Sequence, residues 1–191
     1  MRLPLFPLDM LLMPGGISQL RIFEPRYLRL VSIASEEAKG FVLCQPKADD
    51  VTEFEIGVHC IIEDFEQLED GMLGITIRAL KRVDLADISQ SDDKLYSATI
   101  KAKSHWQHPS NNTQDDELTA KLKQVLSQHT LYDNHPDFYD YNSEYWVVAR
   151  WLELLPFSSR AKNQILKEDD FANLDKLVHQ LVSEITISTS D

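Results

Sequence analysis

The apolar residues of this chain change period partway along it, and that change decides which layers the chain can build. Leu73, Ile75 and Ile77 alternate with Gly74, Thr76 and Arg78, and Tyr96, Ala98, Ile100 and Ala102 alternate with Ser97, Thr99, Lys101 and Lys103. That period of two is the mark of half-buried strands. Further on, Leu118, Leu122, Val125, Leu126 and His129 share one helical face, and Leu174, Leu177, Val178, Leu181, Val182 and Ile185 keep the same spacing. Between them, Tyr145 to Leu155 carries only Arg150 and Glu153 as charged residues. It reads as the most enclosed helix of a small bundle, ended by Pro156, with Ser158 and Ser159 as caps of the next helix.

Before the strands comes a punctuated opening. In Leu3-Pro4-Leu5-Phe6-Pro7-Leu8 each proline withholds a ladder donor, which predicts a short edge segment. Pro14-Gly15-Gly16 turns the chain, Ile17 to Ile22 reads as a strand, and Glu24-Pro25 starts a helix. Glu69-Asp70-Gly71 joins residues 58–67 to 72–79 as a hairpin, and a second break lies at Ser89 to Lys94. The expected class is therefore α+β. A barrel-like, largely antiparallel sheet with one short helix occupies residues 1–103, a hydrophilic linker 104–114, and a helical part 115–191.

The opening, with Met13-Pro14-Gly15-Gly16 and Arg21-Ile22-Phe23-Glu24-Pro25-Arg26-Tyr27-Leu28, resembles the N-terminal, substrate-binding domain of the Lon protease family. Ile56-Gly57-Val58, the Glu69-Asp70-Gly71 hairpin, Ile77-Arg78-Ala79-Leu80-Lys81-Arg82-Val83, Leu155-Pro156-Phe157 and Lys162-Asn163-Gln164-Ile165-Leu166 follow in the family's order. The resemblance runs from residue 3 to 186. It implies a PUA-like β pseudo-barrel followed by a C-terminal α-helical bundle, acting in polypeptide recognition without catalysis. A complete Lon protease also carries an ATPase and a serine-lysine peptidase module. The six glycines, at 15, 16, 40, 57, 71 and 74, begin no GxxxxGK[ST] phosphate loop, and 191 residues leave no room for either module. A stand-alone recognition module, not an enzyme, is the expectation.

Composition bears on partners. The net charge of −12, from 19 basic and 31 acidic residues, repels nucleic-acid phosphates and anionic lipid alike. Expected partners are unfolded or misfolded polypeptides or the proteolysis machinery, with no nucleic acid, no membrane, and a homo-oligomer compatible. No apolar run reaches the roughly 18 residues of a membrane span. Pro4, Pro7 and Asp9 break the first apolar stretch, so a signal peptide is not expected and the setting is cytoplasmic. Cys44 and Cys60 fit buried thiols in a reducing compartment. His105 and His108 flank Trp106 without a further ligand, so neither metal nor cofactor is expected. Arg78, Lys81 and Arg82 read as a solvated strand end.

Catalytic constellations are missing. There is no GxSxG elbow, and His59 and Cys60, as neighbours in a strand, face opposite ways. The alternatives are a PUA-like RNA-binding module, opposed by the acidic charge, and a small-ligand or hydrolytic protein whose pocket is walled by Trp106, Tyr145, Trp146 and Trp151.

For polypeptide binding the candidate residues are Met10, Met13, Phe23, Arg26 and Tyr27. Four consecutive apolar residues, Met10 to Met13, cannot all face one core from a strand, so two should point outward and offer a pliant surface. Glu24, Arg26 and Tyr27 either grip a partner or fasten the first helix to the sheet. If the methionines are core instead, their replacement costs stability rather than binding.

Overall fold

Alternation produces six strands: β1 (Arg2–Pro7), β2 (Ile17–Ile22), β3 (Phe41–Cys44), β4 (Ile56–Gln67), β5 (Leu73–Gln90) and β6 (Tyr96–Ala102). Five helices accompany them among the described residues: α1 (Pro25–Ser35), α2 (Asp116–Leu126), α3 (Glu144–Leu154), α4 (Ser159–Lys167) and α5 (Phe171–Ser188). This computed structural model describes residues 1–36, 39–46, 54–106, 116–128, 131 and 135–188. The expected mixed α+β organisation is what it holds. The strands form one sheet in the order β2-β5-β4-β3-β1-β6, and β6 pairs with β5 as well.

Two strands differ from expectation. The opening segment is not an edge: β1 lies between β6, antiparallel through residues 2–4, and β3, parallel through residues 5–7. Each half engages one neighbour, so Pro4 and Pro7 sit where a missing donor is tolerated. β5 continues unbroken past residue 79 because it serves three partners in turn, β2 and β4 with its first part and β6 with its last. A register shift between Ala86 and Ser89, with Asp87 at φ 49°, bends it on the way to β6. The β4–β5 hairpin turns where expected, with Gly71 at φ 81°.

Because strand side chains alternate, β1 and β3 feed two cores. Phe6, Phe41 and Leu43 belong to the main one, while Leu3, Leu5, Val42 and Cys44 belong to a smaller one with Phe54, Val83 and Ala98. The main core runs on without a break into the helices, taking in Leu122, Trp151 and Val178. Helix α3 is buried from Trp146 to Leu152, as its composition predicts. Ser143 caps it by accepting the N–H of Trp146 at 3.3 Å, and Ser158 caps α4 by accepting that of Ala161 at 3.3 Å. His108, His129 and the predicted linker beyond Trp106 lie outside the described residues.

Two polar expectations are corrected. Arg82 is not a solvated strand end but 3% exposed. Its guanidinium donates to the carbonyls of Leu166, Glu168 and Ser104 and lies 4.2 Å from the centre of the Trp106 ring. Trp106, read as part of a hydrophilic stretch, is buried and donates its indole N–H to the Glu168 carbonyl at 2.9 Å. Long-range carbonyl partners, invisible in local composition, draw both side chains inward.

Candidate functional site

The turn between β1 and β2 is held from the far end of the chain. Arg150, 1% exposed on the buried helix α3, donates through Nη2 to the Met13 carbonyl at 3.0 Å. Glu153, one turn further along, accepts the Met13 N–H at 2.6 Å and two further hydrogen bonds from the Arg150 guanidinium at 2.7 and 2.8 Å. Burial pushes the Glu153 carboxyl above its ordinary range, opposed by the guanidinium beside it and by the Met13 N–H. Gly16 is what lets this pair come so close. A Cβ there would stand 2.5 Å from Glu153 Oε1 and 2.7 Å from Arg150 Nη2, so any other residue would displace the pair.

This clamp accounts for the run from Met10 to Met13. The segment is not a strand, so alternation does not apply to it. Leu11, Leu12 and Met13 are all buried, and the expectation of an outward Met13 is corrected: it is 0% exposed. Met10 is half-buried and lines an apolar groove of about 170 Å³. Ile17 and Ser18 of β2 form one side of it, Leu126, Leu131 and Leu154 line it from the helical part, and the Arg150–Glu153 pair stands in its wall. The groove is about large enough for one bulky apolar side chain.

Beside it runs an open strand edge. β2 ends the strand order, and among the described residues no strand pairs with its outer side. Ala79 exchanges backbone bonds with Gly15 and Gly16, and Ile17 to Ile22 follow in register with Arg78 to Leu73. Antiparallel pairing alternates, so from that starting bond Ser18, Leu20 and Ile22 turn their backbone groups to β5, and Ile17, Gln19 and Arg21 turn theirs outward. At the end of this edge Phe23 is 64% exposed.

The five candidate residues thus separate. Met10 and Phe23 stand at opposite ends of the β2 edge and are open to a partner. Tyr27 is buried, its ring stacked on Phe6 with centroids 4.1 Å apart, and burial raises its hydroxyl pKa. Arg26 pairs with Glu24 at 2.7 Å and lies over the Tyr27 ring, a local arrangement at the start of α1, while the Tyr27–Phe6 stacking fastens the helix to β1. Sequence reasoning missed Arg150 and Glu153. Their signal was visible as two lone charges, three apart, on an otherwise apolar helix.

A second cleft, of about 390 Å³, opens between β5 and the start of α3. Trp106, Tyr145 and Trp146 wall it as the aromatic reading expects, with Arg78, His105 and Asp140 at its lining. Trp151 is elsewhere, buried with its indole N–H on the Leu118 carbonyl. No helix is long and apolar enough to cross a membrane, and no group of three metal-ligating side chains occurs among the described residues.

Residues 2–184 match the family model described as the substrate-binding domain of ATP-dependent protease La (LON). A crystal structure of a Lon N-terminal domain protein from Xanthomonas campestris is 30% identical, with a TM-score of 0.64 over 96% of this chain and 98% of that one. The N-terminal domain of a Mycobacterium avium complex Lon protease superposes at 0.62 over the same shares, at 12% identity, and there the likeness is one of fold alone. No curated protein matches the chain.

Proposed function

Because this chain belongs to the family of LON substrate-binding domains, we propose that it holds polypeptide segments in extended form along the open edge of β2, without catalysis. The observation that carries the reading is the edge itself. Backbone groups of Ile17, Gln19 and Arg21, which no strand among the described residues pairs, lie between an apolar groove at one end and exposed Phe23 at the other. An added strand gains main-chain hydrogen bonds whatever its sequence, and side-chain pockets then set its preference. Met10 supports this, since methionine reshapes to fit different side chains at little cost. The six residues of β2 span roughly 20 Å, so an added segment is about six or seven residues long. Apolar segments of that length are exposed in unfolded chains and buried in folded ones, which makes unfolded or misfolded polypeptides the partner class.

The test is a calorimetric titration with a seven-residue apolar peptide and with the same peptide N-methylated at alternate positions. Methylation removes backbone donors and leaves the side chains. Binding of the first and loss of at least tenfold in the second is the expected result. Equal affinity for both would rule out strand addition, and no binding of either would remove the polypeptide reading altogether.

A further inference from the structure

At its Phe23 end, the β2 edge runs into the tip of the β4–β5 hairpin, because Ile22 pairs with Leu73. Phe65, 51% exposed, and Met72, 37% exposed, share a shallow depression of about 300 Å³ there, with Glu66 in its lining. The chain that forms this tip is acidic: Glu63, Asp64, Glu66, Glu69 and Asp70 fall within eight positions. Two of these are neutralised, Glu63 by Arg78 and Asp70 by Arg21. Asp64 accepts the N–H of Phe65. Glu66 and Glu69 are exposed and have no cationic partner among the described residues.

An exposed aromatic and a methionine near the unpaired carboxylates of Glu66 and Glu69, with the one guanidinium on Met72, that of Arg21, already engaged by Asp70, are selective by charge. We infer that the hairpin tip is a docking surface for a polypeptide segment whose large apolar side chain is flanked by lysine or arginine. This deepens the proposed function and rests on it: a segment laid along β2 passes Phe23 and brings its end onto Phe65 and Met72, with its basic flank beside Glu66 and Glu69. A second copy of this chain is a poor occupant, since a net charge of −12 on each copy opposes contact at an acidic surface. The apolar contacts supply affinity, and the carboxylates supply steering and discrimination.

Three fluorescein-labelled peptides with one apolar seven-residue centre test this by anisotropy on the full chain: one neutral at its ends, one flanked by two lysines, and one flanked by two glutamates. The lysine-flanked peptide should bind about three- to tenfold tighter than the neutral one at low salt, with the gain fading at 0.5 M salt. The double variant Glu66→Gln/Glu69→Gln should abolish that gain, so that the lysine-flanked and neutral peptides bind alike, while Phe65→Ser should weaken all three. Equal binding of the lysine- and glutamate-flanked peptides would overturn the inference and leave strand addition standing. No binding of any peptide would instead overturn the function beneath it. A dimer in sedimentation that Phe65→Ser dissociates would assign the surface to a second copy and equally reject the proposal.

Discussion

The carboxylate of Glu153 accepts the backbone N–H of Met13 at 2.6 Å, although 140 residues separate the two. With Arg150 on the Met13 carbonyl, one ion pair satisfies both backbone groups of a single residue and ties the turn before β2 to helix α3. Removing one partner of a buried pair leaves the other uncompensated, so Arg150→Ala should cost about 3–5 kcal/mol in urea denaturation. A loss below 1 kcal/mol would mean that water reaches Glu153 and the clamp carries little.

Placing Met13 in the core and Met10 in the groove wall separates two kinds of substitution. Met13→Ser and Tyr27→Ser should lower unfolding free energy by about 2–5 kcal/mol. Phe23→Ser should change stability by only about 0.5 kcal/mol, as exposed positions do, yet weaken capture of a denatured client. Met10→Ser should also weaken capture. Retention of full affinity by both surface variants would show that the β2 edge is not where a client binds.

How far these features were legible depended on their range along the chain. One-sided burial writes a local pattern, so the strands around Ile75 and Ala98 and the helices around Leu122 and Val178 could be read from spacing alone. β1 could not, because its prolines look like edge markers until its two halves are seen to use different neighbours. Arg82 and Met13 were misread for a common reason. The partners that bury them include groups 84 and 140 residues away, and composition within a few positions carries no record of those.

His59 offers a pH test with a definite sign. Its Nε2–H donates to the Lys39 carbonyl at 2.7 Å, and among the described residues its buried Nδ1 has no partner. Burial lowers its pKa, the Lys39 bond partly offsets that, and Lys81 adds to the lowering. The unfolded chain, near 6.5, therefore takes up the proton first. The contribution of neutral His59 is complete above that value and is lost as pH falls through the lower folded pKa. Compared with His59→Gln, the urea midpoint of the unaltered protein should drop further between pH 7.5 and 5. An unchanging difference across that range would show that His59 titrates alike in both states.

Cys44 and Cys60 should be inert while the protein is folded. They belong to different cores, which rules out a bond between them without rearrangement. Burial pushes the Cys60 thiol up to about 12 and raises Cys44 still further, so neither offers thiolate at neutral pH. A thiol reagent should find no reactive group in native protein and two in urea. Rapid labelling of either without denaturant would reveal an opening of the sheet that the packed cores do not predict.

Arg82 joins β5 to the α4–α5 junction, and its geometry specifies what a lysine cannot replace. Its planar group reaches the carbonyls of Leu166, Glu168 and Ser104 while its face lies over Trp106. An ammonium donates from a single nitrogen and has no flat face, so it cannot span the positions that Nη1 and Nη2 occupy while lying plane to plane on the indole. Arg82→Lys should therefore cost about 2–4 kcal/mol despite keeping the charge, since the orphaned carbonyls stay buried. Hydrogen exchange should localise the effect: the amide of Glu168, which closes α4 on the Gln164 carbonyl, should exchange faster in the variant than in the parent. If Arg82→Lys matches the parent in both measurements, the guanidinium fork is dispensable, and packing on Trp106 alone holds the junction.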